Sequence, residues 1–131
     1  MAGNDKGDHF SLLAFIDGRL AAFGSLHLRP GGWKRHIGKV HFLTSPAHRG
    51  LGLIDLMVNE IIEVSLHCGL SKLETEINGE REVGIKALQG AGFCELIRIP
   101  DYIQDISGQP HDYVLLGMDL IPSFENLGTG D

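Results

Sequence analysis

The sequence predicts an α/β domain with a mixed, mostly antiparallel sheet and two helices, in the order β-β-β-α-β-α-β-β. Three observations carry this reading. Short apolar runs with period-two alternation are separated by glycine-bearing turn signals. One long run, Gly52 to His67, has helical spacing, with Asp55, Asn59, Glu63 and His67 on a single polar stripe. A second strand–helix unit ends at Gly92-Phe93 and leads into two further strand-like runs.

The elements follow in order. Ser11 to Ile16 reads as a strand, Asp17-Gly18 as a tight hairpin turn, and Arg19 to Leu28 as the return strand. Pro30-Gly31-Gly32 breaks the pattern. His36 to Thr44 is a third strand, with Val40 and Phe42 on one face and Lys39, His41 and Leu43 on the other. The Gly52–His67 helix carries apolar residues on most of its surface, so it is expected to be largely buried, with Gly69 as its stop. Leu70 to Ile77 is a strand, and Asn78 is expected to cap a shorter helix over residues 79–90. Gly84 inside that helix is unfavourable by about 1 kcal/mol relative to Ala, which points to close packing. Glu95 to Gln104 and Asp112 to Leu120 complete the sheet around a turn at Ser107-Gly108. The expected organisation is a disordered stretch over 1–10, one domain over 11–120 and a polar tail over 121–131.

Composition bounds the function. The 131 residues are 43% apolar, enough for a single core. The net charge of −6 argues against a general grip on nucleic-acid phosphates. No run reaches the roughly 18–20 apolar residues of a membrane span, and no signal-peptide pattern is visible, so a cytoplasmic location is expected. Cys68 and Cys94 read as free thiols, and the seven histidines show no metal-ligand spacing.

The most informative stretch is Thr44 to Ile54, where a strand runs through a turn bearing Arg49, Gly50, Leu51 and Gly52 straight into a helix. The first N–H groups of a helix lack intrahelical partners and carry its positive end, so an anion docks there. Glycine lets that anion approach the backbone.

With the second unit ending in Gly92-Phe93 and the closing hairpin from Asp101 to Leu120, this stretch resembles the GNAT superfamily of N-acetyltransferases. The family signature is Arg/Gln-x-x-Gly-x-Gly/Ala. Arg49 and Gly52 match it, and Ile54 departs from its last position. The resemblance implies acetyl-CoA as cosubstrate, its pyrophosphate on Arg49, Gly50, Leu51, Gly52, Leu53 and Ile54. The pantetheine arm would lie along a strand edge near Leu43 and Thr44. It implies transfer of the acetyl group to an amine acceptor by direct attack.

Three departures shape the expectations. The domain usually opens with a further strand and two helices, for which this chain has little room, so Leu13, Phe15, Leu20, Ala22 and Leu26 are expected to expose apolar surface that a homodimer would cover. The position of the usual general-acid tyrosine holds Leu88, and the strand before the phosphate turn has no carboxylate. His41 is therefore the candidate base and Tyr102 the candidate acid, with Tyr113, Trp33 and a His111-Asp112 pair as further polar or aromatic groups to place. A non-catalytic acyl-CoA-binding module, or a sheet that completes another subunit, stays open. The acceptor amine is not named by the sequence.

Overall fold

The computed structural model describes residues 8–121. The expected N-terminal fraying and C-terminal tail fall almost entirely outside them. Strands β1 (His9–Ile16), β2 (Arg19–His27) and β3 (Ile37–Thr44) precede helix α1 (Leu53–His67). Strand β4 (Lys72–Asn78), helix α2 (Glu82–Gly90), β5 (Cys94–Gln104) and β6 (Pro110–Asp119) follow. The element order is the predicted one, and β1 starts two residues before Ser11. The six strands form one sheet in the order β1-β2-β3-β4-β6-β5, antiparallel at every junction except β3/β4.

Local chemistry explains the boundaries. Asp17 and Gly18 both take positive φ, +52° and +77°, the twist a two-residue hairpin turn requires. Helix α1 ends where Gly69 swings to φ +79° and the Leu70 N–H bonds back to the Ser65 carbonyl at 3.0 Å. Asn78 does not cap α2. Its side-chain oxygen accepts the Glu80 N–H at 2.9 Å, forming a turn that delays the helix to Glu82. Gly84 packs as expected, since a Cβ there would stand 3.3 Å from Ile77 Cδ1.

Both helices lie on one face of the sheet. Leu26, Val40, Leu73, Val114 and Leu116 point to them and meet Val58, Ile61, Ile85, Leu88 and Phe93, all nearly inaccessible. Gly38 packs tightly here, because a Cβ would sit 2.6 Å from Leu26 Cδ1 and 2.8 Å from Leu70 Cδ1 and would push these leucine ends aside. Helix α1 is less buried than its composition suggests. Its contact stripe is Met57, Val58, Ile61 and Ser65, while Leu56 is 61% exposed. The Ser65 hydroxyl is satisfied by donating to the Ile61 carbonyl at 2.6 Å.

The other face of the sheet carries no helix among the described residues. Alternation places His9, His27, Lys39, His41, Leu43, Glu74, Glu76 and Tyr113 there. Leu13, Phe15 and Leu20 are exposed as expected, at 52%, 61% and 50%. Ala22 and Leu26 are not, because they point towards α1 and are buried. Among the described residues, no helix is long and apolar enough to cross a membrane.

One polar clamp ties the hairpin β5–β6 to the loop before α2. His111, its side chain only 11% exposed, places Nε2 2.8 Å from Asp105 Oδ2 and Nδ1 3.0 Å from Glu80 Oε2. It does not pair with Asp112, which instead binds Arg98 and the Asp101 N–H. The Asp105 contact, with help from Glu80, holds the imidazolium above its ordinary range. The same bond and the Gln109 and Ser107 N–H groups hold the Asp105 carboxyl below its own. The raised His111 contributes stability that is complete below the ordinary imidazole midpoint near ~6.5 and lost as pH rises through its folded-state value. The lowered Asp105 contributes above the ordinary Asp midpoint near ~3.9 and fades as pH falls through its folded-state value. Asp105→Asn is expected to lower the His111 titration midpoint in NMR and to cost most stability between those limits. An unmoved midpoint would show that the pair does not operate.

Candidate active site

Strands β3 and β4 stay together for only three register pairs, Ile37↔Lys72, Gly38↔Leu73 and Lys39↔Glu74. Beyond them, β3 continues along β2 as far as Ala22↔Thr44, while β4 follows β6 to Asn78↔Tyr113. The sheet therefore opens into a cleft of about 990 Å³. Among the described residues, the β4-facing backbone edge of β3 beyond Lys39 has no strand partner, which leaves hydrogen-bonding groups available to an extended ligand.

The turn leading to α1 stands at the cleft wall. A 3-10 turn at Pro46–His48 redirects the chain, and the His48 ring is held 3.2 Å from the Ser45 hydroxyl. Gly50 and Gly52 take φ of +82° and +77°, and a Cβ at either would meet nothing within 4 Å. That open space lies beside the first turn of α1, which no side chain caps. Arg49 and Arg81 both line the cleft, and among the described residues neither is in an ion pair. Asp55 in the first turn, with Glu76, Glu80 and Glu82, supplies opposing charge along the cleft.

Of the sequence-derived candidates, His41, Leu43, Thr44, Arg49, Gly50, Gly52, Leu53 and Ile54 line this one cleft. Leu51 does not, and is 58% exposed. Tyr102 does not either. It lies on β5, 66% exposed, with its ring edge-on to Tyr113 at 5.7 Å, so the expectation that it joins the reacting groups finds no support in its position. Leu88 lines the cleft as an apolar, 5% exposed side chain. Trp33 is 92% exposed in the loop before β3, at the end of that strand away from the cleft.

The sequence reading missed Glu76. Its carboxylate lines the cleft from β4, accepts the Tyr113 hydroxyl at 3.0 Å and stands 3.5 Å from Lys39 Nζ. Burial, then the Glu76 bond, pushes the Tyr113 phenol up. The signal was present in KLETEIN, where alternation puts Glu74 and Glu76 opposite the core positions. What was absent was any indication that this strand faces His41 across a gap. His41 itself packs edge-on against His27 at 5.7 Å, and His27 stacks on His9 at 4.5 Å. Burial, then the neighbouring imidazoles, pushes His27 down.

Comparison with known proteins agrees with this geometry. A model of the acetyltransferase (GNAT) family matches residues 2–93. No curated protein sequence matches the chain. An N-acetyltransferase from Staphylococcus aureus superposes with a TM-score of 0.82 at 16% identity, over 92% of this chain and 73% of that one. The protein yncA from Salmonella typhimurium, whose structure holds its cofactor acetyl-CoA, gives 0.81 at 16% identity over 92% and 69%. A GNAT-family acetyltransferase from Streptococcus pneumoniae gives 0.80 at 22% identity over 89% and 70%. At these identities the structures establish a shared fold. The family match spans well over half of the chain, and with the parted strands and the glycine turn described above, the chain belongs to the GNAT acetyltransferase family.

Proposed function

We propose that this protein transfers an acetyl group from acetyl-CoA to an amine by direct attack within the β3/β4 cleft. The observation that carries the reading is the glycine turn of α1 opening onto the unpartnered edge of β3. The N–H groups at the start of α1, with Arg49 and Arg81, would hold the pyrophosphate, and the β3 edge near Leu43 and Thr44 would hold the pantetheine arm. Acetyl-CoA, when bound, supplies the acetyl group as a thioester, and the products are an amide and CoA thiol. Glu76 orients the incoming ammonium from β4. His41 removes its proton and returns it on the sulfur side, so no further acid is needed where Leu88 stands.

The apolar Leu88 also favours a second reading, an acyl-CoA-binding module without turnover. Release of CoA thiol with a panel of amines separates the two. The exposed Leu13, Phe15 and Leu20 support a homodimer that covers the opening hairpin. Light scattering at micromolar concentration is expected to give twice the chain mass, and a stable monomer would remove the dimer from this reading.

Gly52→Asp is expected to weaken CoA binding tenfold or more relative to Gly52→Ala, about 1.4 kcal/mol. Both variants strain the positive φ, so their difference reports the added charge at the phosphate position. Equal CoA affinity in the two variants would remove the anion site. His41→Gln is expected to lower kcat/KM ~100-fold and to flatten the acid limb of its pH profile, while Tyr102→Phe stays within about twofold. A His41→Gln enzyme within about twofold of wild type would exclude His41 as the base.

A further inference from the structure

We infer that the acceptor is a free α-amino acid with an apolar side chain, held as a zwitterion between Glu76 and Lys39. The inference rests on the acetyl-transfer reading and specifies its acceptor side, where Glu76 lines the cleft and Lys39 stands beside it at 3.5 Å, outside the lining.

Local charge is the first argument. The whole chain carries −6, a field that would draw polyamines. Around Lys39 the open sheet face has the opposite balance, since Glu74 and Glu76 there meet three cations, Arg29, Lys34 and Lys39, while Asp55, Glu80 and Glu82 line the cleft further on. Glu74 is 14% exposed and held by Arg29 at 3.7 Å and Lys34 at 3.2 Å, so it offers nothing to a ligand. A ligand bearing only positive charge must compete with Lys39 for Glu76 and leaves that lysine unmatched.

A ligand bearing both charges leaves nothing unmatched. The Lys39–Glu76 pair is loose, at 3.5 Å between side chains 33% and 43% exposed, and pairs of this kind hold weakly. Tyr113 fixes one Glu76 oxygen at 3.0 Å and leaves Oε1, the atom turned to Lys39, for a new partner. An ammonium on Glu76 and a carboxylate on Lys39 replace each half of the pair. The two charges of an α-amino acid are close enough to fit between groups that already approach each other.

Position along β3 supplies the rest. Lys39, His41 and Leu43 share one face of the strand, spaced by about 6.8 Å per two residues. His41 thus stands between the carboxylate position and Leu43. Leu43 is 60% exposed and continues across the sheet through its register partner Phe23 to Leu13. This row offers an apolar floor for the side chain, with the nitrogen beside His41.

The test is CoA thiol release with acetyl-CoA and three acceptors: L-leucine, L-leucinamide and spermidine. L-Leucine is expected to exceed L-leucinamide in kcat/KM by about tenfold or more, since loss of the carboxylate leaves Lys39 unpaired. Lys39→Met is expected to shrink that gap to about twofold, mainly through slower turnover of L-leucine. Equal or faster turnover of L-leucinamide or spermidine by the wild type overturns the inference. If no acceptor is turned over, calorimetric titration of L-leucine into the CoA-loaded protein decides. Binding that is lost in both Lys39→Met and Glu76→Gln sustains the zwitterion site. Absence of binding to the folded, CoA-loaded chain overturns it and leaves the cofactor reading standing, whereas failure to load CoA removes both.

Discussion

The structure turns on a contest of strand pairings. Strand β3 is bound to β2 from Lys39 to Thr44 on one side, and β4 is bound along its full length to β6 on the other. The parallel junction between β3 and β4 holds for only three register pairs. The cleft is therefore a product of backbone pairing rather than of any particular side chain. The core on the helix face keeps the junction closed at its base, through Gly38 against Leu26 and Leu70, so the opening starts where that packing ends.

Two kinds of site then share one opening. The proposed cofactor side is drawn from backbone: glycines at positive φ, the start of α1 and the β4-facing edge of β3. Its demands on sequence are narrow and local, which is why a short motif carries them. The proposed acceptor side is drawn from side chains on four strands of the opposite face: His27 and His41, Lys39 and Glu76, and Tyr113. Nothing in the chain order links these residues. They form a group only because pairing brings β2, β3, β4 and β6 into sequence across the sheet.

Charge shows the same division. The net charge of −6 is a property of the whole surface, yet Glu74 and Glu76 on the open face are matched by cations from β3 and the loop before it. Direct contacts at 3–4 Å outweigh a diffuse field screened within about 10 Å at ordinary salt. His111 makes the complementary point. As a residue beside Asp112 it suggested a local pair, but the fold places it between Asp105 and Glu80.

The sequence by itself determined the elements, their order, the hairpin at Asp17-Gly18, the end of α1 at Gly69 and the anion-ready turn from Arg49 to Gly52. Each is set by residues within a few positions of one another, through alternation, helical spacing or the φ that glycine permits. Tertiary structure decided what lies across space. It assigned Ala22 and Leu26 to the helix face, kept Leu56 exposed, set Tyr102 outside the cleft and put Glu76 inside it opposite His41. Those outcomes depend on which strand edges pair and where the pairing stops, a competition among distant segments that no local pattern records.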